Sequence, residues 1–455
     1  MNMKFLNKLK IFLAKIFPET QFVTFIGCSF FISIMISIML YPGTFSPDSF
    51  NQLNQATNHQ YNTWHPIIMA LVMHYLLDIF GVGGIFILHQ IIYWLALALI
   101  IDCLFARRII YLFMGFFPPL FLLTIEVWKD SGMLVFCIFA FACFLQFYKN
   151  RKCRYLIYTI LAILYASCVR INALCVTTVL VGFASVLLLN KISFIKKIIL
   201  FFVSVISLIG FTLTVNNAIN KVYHANIGRP LPTLLLWDMA GICKFSGMKC
   251  ELPKYIKVSE KNKALNWINN YESNGCTLCW TSGISCGLSS SDEERELIHD
   301  WFILVKNNPV SYLKHKMSFA KILFNFKHDV YYPYQTYDMN LQKDGDFIPT
   351  KIGLAFFDKI RTLGTYISKI YMYHSFFWFT ISIVILIYLI AKSLVKRTAL
   401  VLTEKLAFVL CVSGVINAIS LVVVAPAADY RYMIWTVCAA FLSCFVLISK
   451  KITEN

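Results

Sequence analysis

Charge is what this chain is short of. Of 455 residues, 14% are Asp, Glu, Lys or Arg and 58% are hydrophobic, whereas soluble domains carry about a quarter charged residues. That shortage excludes a water-soluble core of this size. Acids are scarcer than bases, 23 against 41. The bases sit in short clusters between apolar runs, however, so the net charge of +18 does not describe a nucleic-acid-binding face. The alternating polar and apolar residues of a membrane barrel strand are missing too. So are a phosphate-binding glycine loop, a paired-His zinc motif, an internal repeat and a long low-complexity linker. An ATP-driven motor is not encoded in these residues.

What the chain has is long apolar runs. Hydrocarbon about 30 Å thick needs roughly 20 apolar residues per helix. Unpaired backbone amides are costly in lipid, so the runs are read as helices. The expected fold is an all-α polytopic membrane protein with about ten transmembrane helices. Lys4, Lys8, Lys10 and Lys15 precede the first run, about 22–41, and place the N-terminus in the cytoplasm. That run is too long for a cleaved signal peptide and reads as a retained anchor. No Lys or Arg occurs in 42–84, as suits an external loop. Its short apolar piece, 66–80, is assigned to an interfacial helix, because counting it as a span would put Arg107 and Arg108 outside. The remaining spans are about 85–105, 109–125, 132–147, 155–169, 173–189, 198–215, 373–391, 402–423 and 433–448. Lys149 to Arg154, Lys191 to Lys197, Lys392 with Lys396 and Arg397, and Lys450 with Lys451 then all fall inside. Both termini are expected in the cytoplasm of a cell (plasma or inner) membrane protein.

This threading divides the chain into a membrane region, 1–215, a large extracytoplasmic loop domain, 216–371, and a second membrane region, 372–455. The loop domain is expected to be mixed or helical. Ser291 to Glu294 reads as a capping box opening a helix through Val305, and Pro309 opens another through about Phe324. Five of the 15 cysteines lie there: Cys243, Cys250, Cys276, Cys279 and Cys286. They allow two disulfides and one thiol, with the pairing open. A zinc site at Cys276 and Cys279 lacks a second pair at suitable spacing. The other cysteines read as packing residues.

Candidate chemistry begins with Tyr41-Pro-Gly-Thr-Phe-Ser-Pro-Asp48 and Tyr61-Asn-Thr-Trp64-His65-Pro66. An acid just outside a span can deprotonate a hydroxyl, or hold a divalent cation, where a lipid phosphate would lie. The plainer use of Asp48 is to cap a helix beginning at Ser49 or Phe50, and the two uses are compatible. Asp130, beside Lys129, is a second external acid or an N-cap paired with that lysine. Arg170 and Arg431 lie at outer span ends, against the positive-inside bias, and could bind phosphate oxygens. Otherwise Arg170 snorkels to the headgroups, and Arg431 pairs with Asp429 between interfacial Tyr430 and Tyr432. His65 could serve as an acid, a phosphate donor or a helix-start residue. His74 and His89 read as satisfied packing or interfacial residues, and Asp238 as structural or acceptor-facing.

The order of first span, external Asp48, short helix, Trp64-His65-Pro66, interfacial helix ending near Gly81, and second span ending in Arg107-Arg108 resembles the GT-C fold membrane glycosyltransferases. These include protein O-mannosyltransferases and the bacterial enzymes that add aminoarabinose to lipid A. The layout covers roughly residues 20–190. The resemblance implies that Asp48 is the catalytic acid of the first external loop and Asp130 the second acid. It implies phosphate-binding roles for Arg170 and for Arg431-Tyr432, with His65 and Lys129 as further substrate contacts. Many members carry Asp-Glu where this chain has Asp48-Ser49, so only one carboxylate is present there. The expected activity is transfer of a sugar from a polyprenyl-phosphate donor to an extracytoplasmic acceptor beside the bilayer. A divalent cation, Mg or Mn, is a cofactor only if Asp48 and Asp130 hold one. A transporter or flippase of lipid-linked sugars would need polar residues deep within the spans; a polymerase would share the topology.

Overall fold

The computed structural model describes residues 18–188, 193–259, 267–284, 288, 290–326, 350–367, 369–397 and 399–449. Of residues 279, 280, 361, 364, 365 and 367 only the backbone is described. Lys4, Lys8, Lys10, Lys15, Lys191, Lys450 and Lys451 therefore lie outside the described residues.

The described secondary structure is helical, with isolated bridging pairs and no strand. The helices are α1 Phe22–Leu40, α2 Pro47–Asn58, α3 Ile68–Phe80, α4 Gly84–Leu104, α5 Pro118–Thr124, α6 Lys129–Asn150, α7 Cys153–Val169, α8 Ala173–Leu188 and α9 Phe194–Val222. They continue, apart from a single helical turn at Leu278–Thr281, as α10 Leu231–Ser246, α11 Ser291–Asn307, α12 Pro309–Leu323, α13 Lys351–Ile367, α14 Ser375–Lys396, α15 Leu402–Val424 and α16 Ile434–Ile448. Seven helical stretches are long and apolar enough to cross a membrane: Phe22–Leu40, Ile68–Leu104, Lys129–Asn150, Phe194–Val222, Ser375–Lys396, Leu402–Val424 and Tyr430–Ile448. This is a polytopic α-helical membrane protein. Helices α7 and α8 are apolar but shorter, at 17 and 16 residues.

One expected span is not a continuous helix. Residues 109–125 form 3₁₀ turns over Ile109–Phe116, then the seven-residue α5. Pro118 and Pro119 supply no N–H, so the turns cannot run on as one α-helix. Pro119 to Thr124 are buried, as irregular backbone inside a bilayer must be. The stretch still connects the two ends of the bundle. Arg107 O accepts from Thr20 N (2.8 Å) before α1, whereas Ile125 O accepts from Thr44 N (3.1 Å) after it.

Helix α3 is separate from α4, broken at Gly81–Gly83, where Gly81 takes φ +64°. The Tyr41 hydroxyl donates to Phe80 O (3.0 Å) and accepts from Gly83 N (3.3 Å), fixing that break at the end of α1. Helix α9 runs seven residues past the expected 215, to Val222. The capping box of α11 is Ser290 with Glu293, one residue earlier than expected.

Close packing holds the bundle. A Cβ on Gly414 of α15 would lie 3.2 Å from Ala439 Cβ of α16, the close approach that small residues permit between membrane helices. Phe117 stacks on Phe441 at 4.2 Å. At the end away from α2, buried Asp102 takes Arg107 (3.0 Å) and Lys149 (2.6 Å).

The loop region packs around Leu236, Trp237 and Phe319, in a cluster that also takes in Ala418 and Leu421 of α15 and Met433 before α16. There Asp238 meets His315 Nε2 (2.9 Å) and Lys316 Nζ (2.8 Å), and Tyr271 OH lies 2.7 Å from His315 Nδ1. Lys316 also donates to Val423 O at the end of α15 (2.9 Å). Asp238 is thus a structural tie, away from the cluster described next. Cys243 and Cys250 form a disulfide, and Cys276 is a buried thiol. The side chains of Cys279 and Cys286 lie outside the described residues.

Candidate active site

Ser46 organises the first wall. Its hydroxyl accepts from Ser49 N (3.4 Å) and the Ser49 hydroxyl accepts from Ser46 N (3.2 Å), a capping box with Pro47 at the first helical position. Ser46, not Asp48, is therefore the N-cap of α2. Asp48 falls in the first turn with its carboxylate released from capping. Trp128 Nε1 donates to Ser46 Oγ (2.7 Å) and Ser49 Oγ donates to Val127 O (2.5 Å), so the start of α2 is bound to the segment before α6.

That segment delivers Lys129 and Asp130 in the first turn of α6. Asp130 is not its cap and does not pair with Lys129. It takes Arg170 Nη1 at 2.7 Å, from the end of α7. Arg170 is consequently an ion-pair partner, not a snorkelling cation, and its guanidinium lies 4.6 Å from the Tyr432 ring centroid. The turn Tyr430–Met433 before α16 supplies Arg431. Its guanidinium reaches Asp429 (2.9 Å), Asp48 Oδ2 (3.2 Å) and, at 4.0 Å, Asp130. It also lies over Trp128 (4.7 Å). The local Asp429 pair expected of Arg431 exists, then, but as one of three.

His65 completes the group. Its Nε2 is 3.6 Å from Asp48 Oδ1, and its Nδ1 meets Lys129 Nζ. A protonated amine donating to Nδ1 leaves the proton of a neutral ring on Nε2, facing Asp48. The 61–65 strip is held against 226–228: Asn226 N donates to Tyr61 O (2.8 Å), Thr63 N to Asn226 O (2.9 Å) and Gly228 N to Thr63 Oγ1 (2.8 Å).

Electrostatics separate the acids. Burial pushes the Asp48 carboxyl up, but His65, Arg431 and Lys129 outweigh it and hold it well below the usual carboxylate range. Burial lowers the His65 ring, and Lys129 adds to the effect against the opposing pull of Asp48. Burial raises Asp429 against Arg431, and raises Glu126 further, with Asp429 adding repulsion. Asp48 is the accessible member, 37% exposed at the side chain, while Asp130 is 2% exposed. Asp130 Oδ1 is buried without a hydrogen-bond partner among the described residues.

A divalent cation does not suit this donor set. Asp48 and Asp130 both direct oxygens at guanidinium groups, those of Arg431 and Arg170, which already occupy the space between them. Among the described residues no three His, Cys, Asp or Glu side chains gather so as to hold a metal ion.

All seven residues singled out from sequence, Asp48, His65, Lys129, Asp130, Arg170, Arg431 and Tyr432, lie in this one cluster. Asp429, Glu126 and Trp128 join it without having been expected as site residues. The Asp429-Tyr430-Arg431 spacing was a visible signal for the first; nothing in sequence shows that a Trp ring will lie beneath a guanidinium. His74 stays outside, edge-on to His59 (4.5 Å). His89 is fully buried below Gly132, and neither ring nitrogen has a hydrogen-bond partner among the described residues, unlike the satisfied histidine expected.

No family model, curated protein or solved structure matches this chain.

Proposed function

We propose that the chain is a membrane glycosyltransferase that moves a sugar from a polyprenyl-phosphate donor to an extracytoplasmic acceptor, with a GT-C-like fold. The observation that supports this reading is the cluster itself. One ionised, accessible carboxylate, Asp48, stands beside Lys129, Arg170 and Arg431 at the end of an apolar helix bundle. Adding the two shorter apolar helices and the broken 109–125 crossing to the seven long stretches yields ten crossings. In this reading an even count sets both termini on one side, and the positive-inside bias makes that side the cytoplasm and the cluster's side the outer face of a plasma or inner membrane.

In this reading Asp48 Oδ1 takes the proton of an acceptor hydroxyl as its oxygen bonds to the anomeric carbon. The bond from that carbon to the phosphate oxygen breaks, and polyprenyl phosphate leaves with the electron pair. Cations fixed beforehand stabilise the developing charge, since they need no reorganisation during the reaction. Lys129 is the strongest candidate phosphate contact, because its described partner is the His65 ring and not a carboxylate. Arg431 and Arg170 orient Asp48 and Asp130 and extend the positive rim.

A transporter reading expects polar groups at mid-depth that are free to bind cargo. Two polar residues read within spans are committed to structure. Asp102 carries its ion pairs, and Asn417 donates to Tyr432 O (3.3 Å) and Thr436 Oγ1 (3.2 Å). A polymerase would differ in product, a repeating chain against a single added sugar.

The test is transfer of radiolabelled sugar from polyprenyl-phosphate donors in membranes holding the parent chain or Asp48→Asn. At equal expression the variant should lose about 10²- to 10⁴-fold, the range for removing a general base. Retained transfer would remove Asp48 from the mechanism. No transfer by the parent across a broad donor panel would favour the transport reading.

A further inference from the structure

Helix α13 lies within the stretch read from sequence as a loop domain, yet it is tied to the bundle at both ends. At its start, Thr350 N donates to Tyr41 O (3.4 Å) and the Thr350 hydroxyl to Met39 O, at the end of α1. Gly353 makes that approach possible, because a Cβ there would sit 3.2 Å from Met39 O. After Ile367 the chain turns through Tyr371–Tyr373 into α14, which begins at Ser375 at the same end of the bundle. A 17-residue helix about 25 Å long, returned to one level at both ends, runs along the surface instead of standing away from it.

Its sequence has two apolar flanks. Gly353, Phe356, Phe357 and Ile360 share one side, and the three larger residues pack on the membrane core. Ile352, Lys359, Leu363 and Tyr366 fall within an adjoining arc of about 60° at 3.6 residues per turn. That second flank is largely uncovered by the described residues: Ile352 is 56%, Leu363 48% and Tyr366 68% exposed. It continues the exposed side of α1, where Ile38 is 61% exposed. Lys351, Asp358 and Thr362 lie on a further arc.

We propose that α13 is a membrane-interface helix that seats the perimeter of the bundle on the headgroup layer. Ile352 and Leu363 enter the acyl boundary, Tyr366 lies at headgroup depth, and Lys359 binds lipid phosphate. An apolar stripe with one lysine and an interfacial tyrosine matches an anionic bilayer surface. It suits a second copy of the chain less well, since two Lys359 side chains would then face each other across a symmetric contact.

The experiment uses the full chain in nanodiscs. A fluorescent amino acid replaces Ile352, Leu363 or Asp358 in turn, and the lipids are brominated near the headgroup end of the acyl chain. Quenching at positions 352 and 363 should exceed that at 358 at least threefold. In discs containing phosphatidylglycerol, Lys359→Glu should reduce quenching at 363, and in phosphatidylcholine alone it should not. Equal quenching at all three positions overturns the proposal, as does a signal that changes with protein concentration, which would mean contact between copies. No transferase activity is read, so either result leaves the reading of Asp48 untouched.

Discussion

Asp48 is subject to two opposed forces, and their balance sets what it can do. Burial favours the protonated carboxyl, while the His65 ring, Arg431 and Lys129 favour the anion and prevail. A carboxylate so stabilised stays ionised far below neutral pH, so its protonation should not limit transfer at any pH from 5 to 8. Such stabilisation also makes it a weaker base, which suits a step driven largely by departure of the phosphate. Lys129 has the complementary role. In the proposed transferase reading, replacing it by Met removes a phosphate contact but leaves Asp48 and Arg431 paired. Lys129→Met should therefore raise the KM for the lipid-linked donor about tenfold, equivalent to about 1.4 kcal/mol. Donor titration in purified membranes checks this, and an unchanged KM would assign Lys129 to structure alone. The resemblance motifs already pointed to these residues one by one. Their mutual contacts were not legible, because a guanidinium shared between Asp48, Asp429 and Asp130 depends on three segments more than 80 residues apart in the chain meeting at one point.

At the scale of elements, the cluster depends on short connections held to one another. The α2 cap binds the 127–128 segment, the 61–65 strip binds 226–228, and residues 274–276 bind 426–428 just before Arg431: Cys276 N donates to Pro426 O (2.8 Å) and Ala428 N to Asn274 O (2.7 Å). Gly228 is the tightest of these contacts. A Cβ there would lie 2.3 Å from Trp64 N, so Gly228→Ala must displace the backbone beside His65. The variant should lose at least tenfold in transfer while still inserting in the membrane. Gly210 has nothing within 4 Å of its added Cβ, so Gly210→Ala should leave transfer unchanged. Parallel assays of the two variants decide the point, and equal activities would show the 61–65 strip to be dispensable. Most span positions were legible, since long apolar runs bounded by basic clusters have few other readings. The 109–125 stretch misled because hydropathy counts Pro118 and Pro119 as ordinary residues, whereas the missing N–H groups break the helix. Asp48 misled as a cap because Ser46 stood two residues earlier with Ser49 placed to answer it.

Taken whole, the molecule ties its apolar helix bundle to the helices around Trp237 and Phe319 through buried charge, and acid should loosen that join. In the Tyr271, His315 and Asp238 relay, burial lowers the His315 pKa despite the pull of Asp238. His65 is lowered likewise. A depressed histidine binds fewer protons folded than unfolded, so its stabilisation is complete above the unfolded pKa of about 6.5 and is lost as pH falls through it. The thermal midpoint in nanodiscs should fall between pH 8 and pH 5, and His315→Gln should flatten that slope. A midpoint that rises toward pH 5 would contradict the neutral relay. The sequence by itself determined that this is a helical membrane protein, where most crossings lie, and which acids and bases stand at their ends. Composition and hydropathy suffice for that, because the bilayer imposes one length and one backbone solution on every span. Only the tertiary structure decided that Asp48, His65, Lys129, Asp130, Arg170, Arg431 and Tyr432 share one cluster, that Asp238 belongs to another, and that α13 returns to the surface. Those outcomes depend on which helix ends pack side by side, and residue order along one chain does not specify distances between segments that hydropathy treats alike.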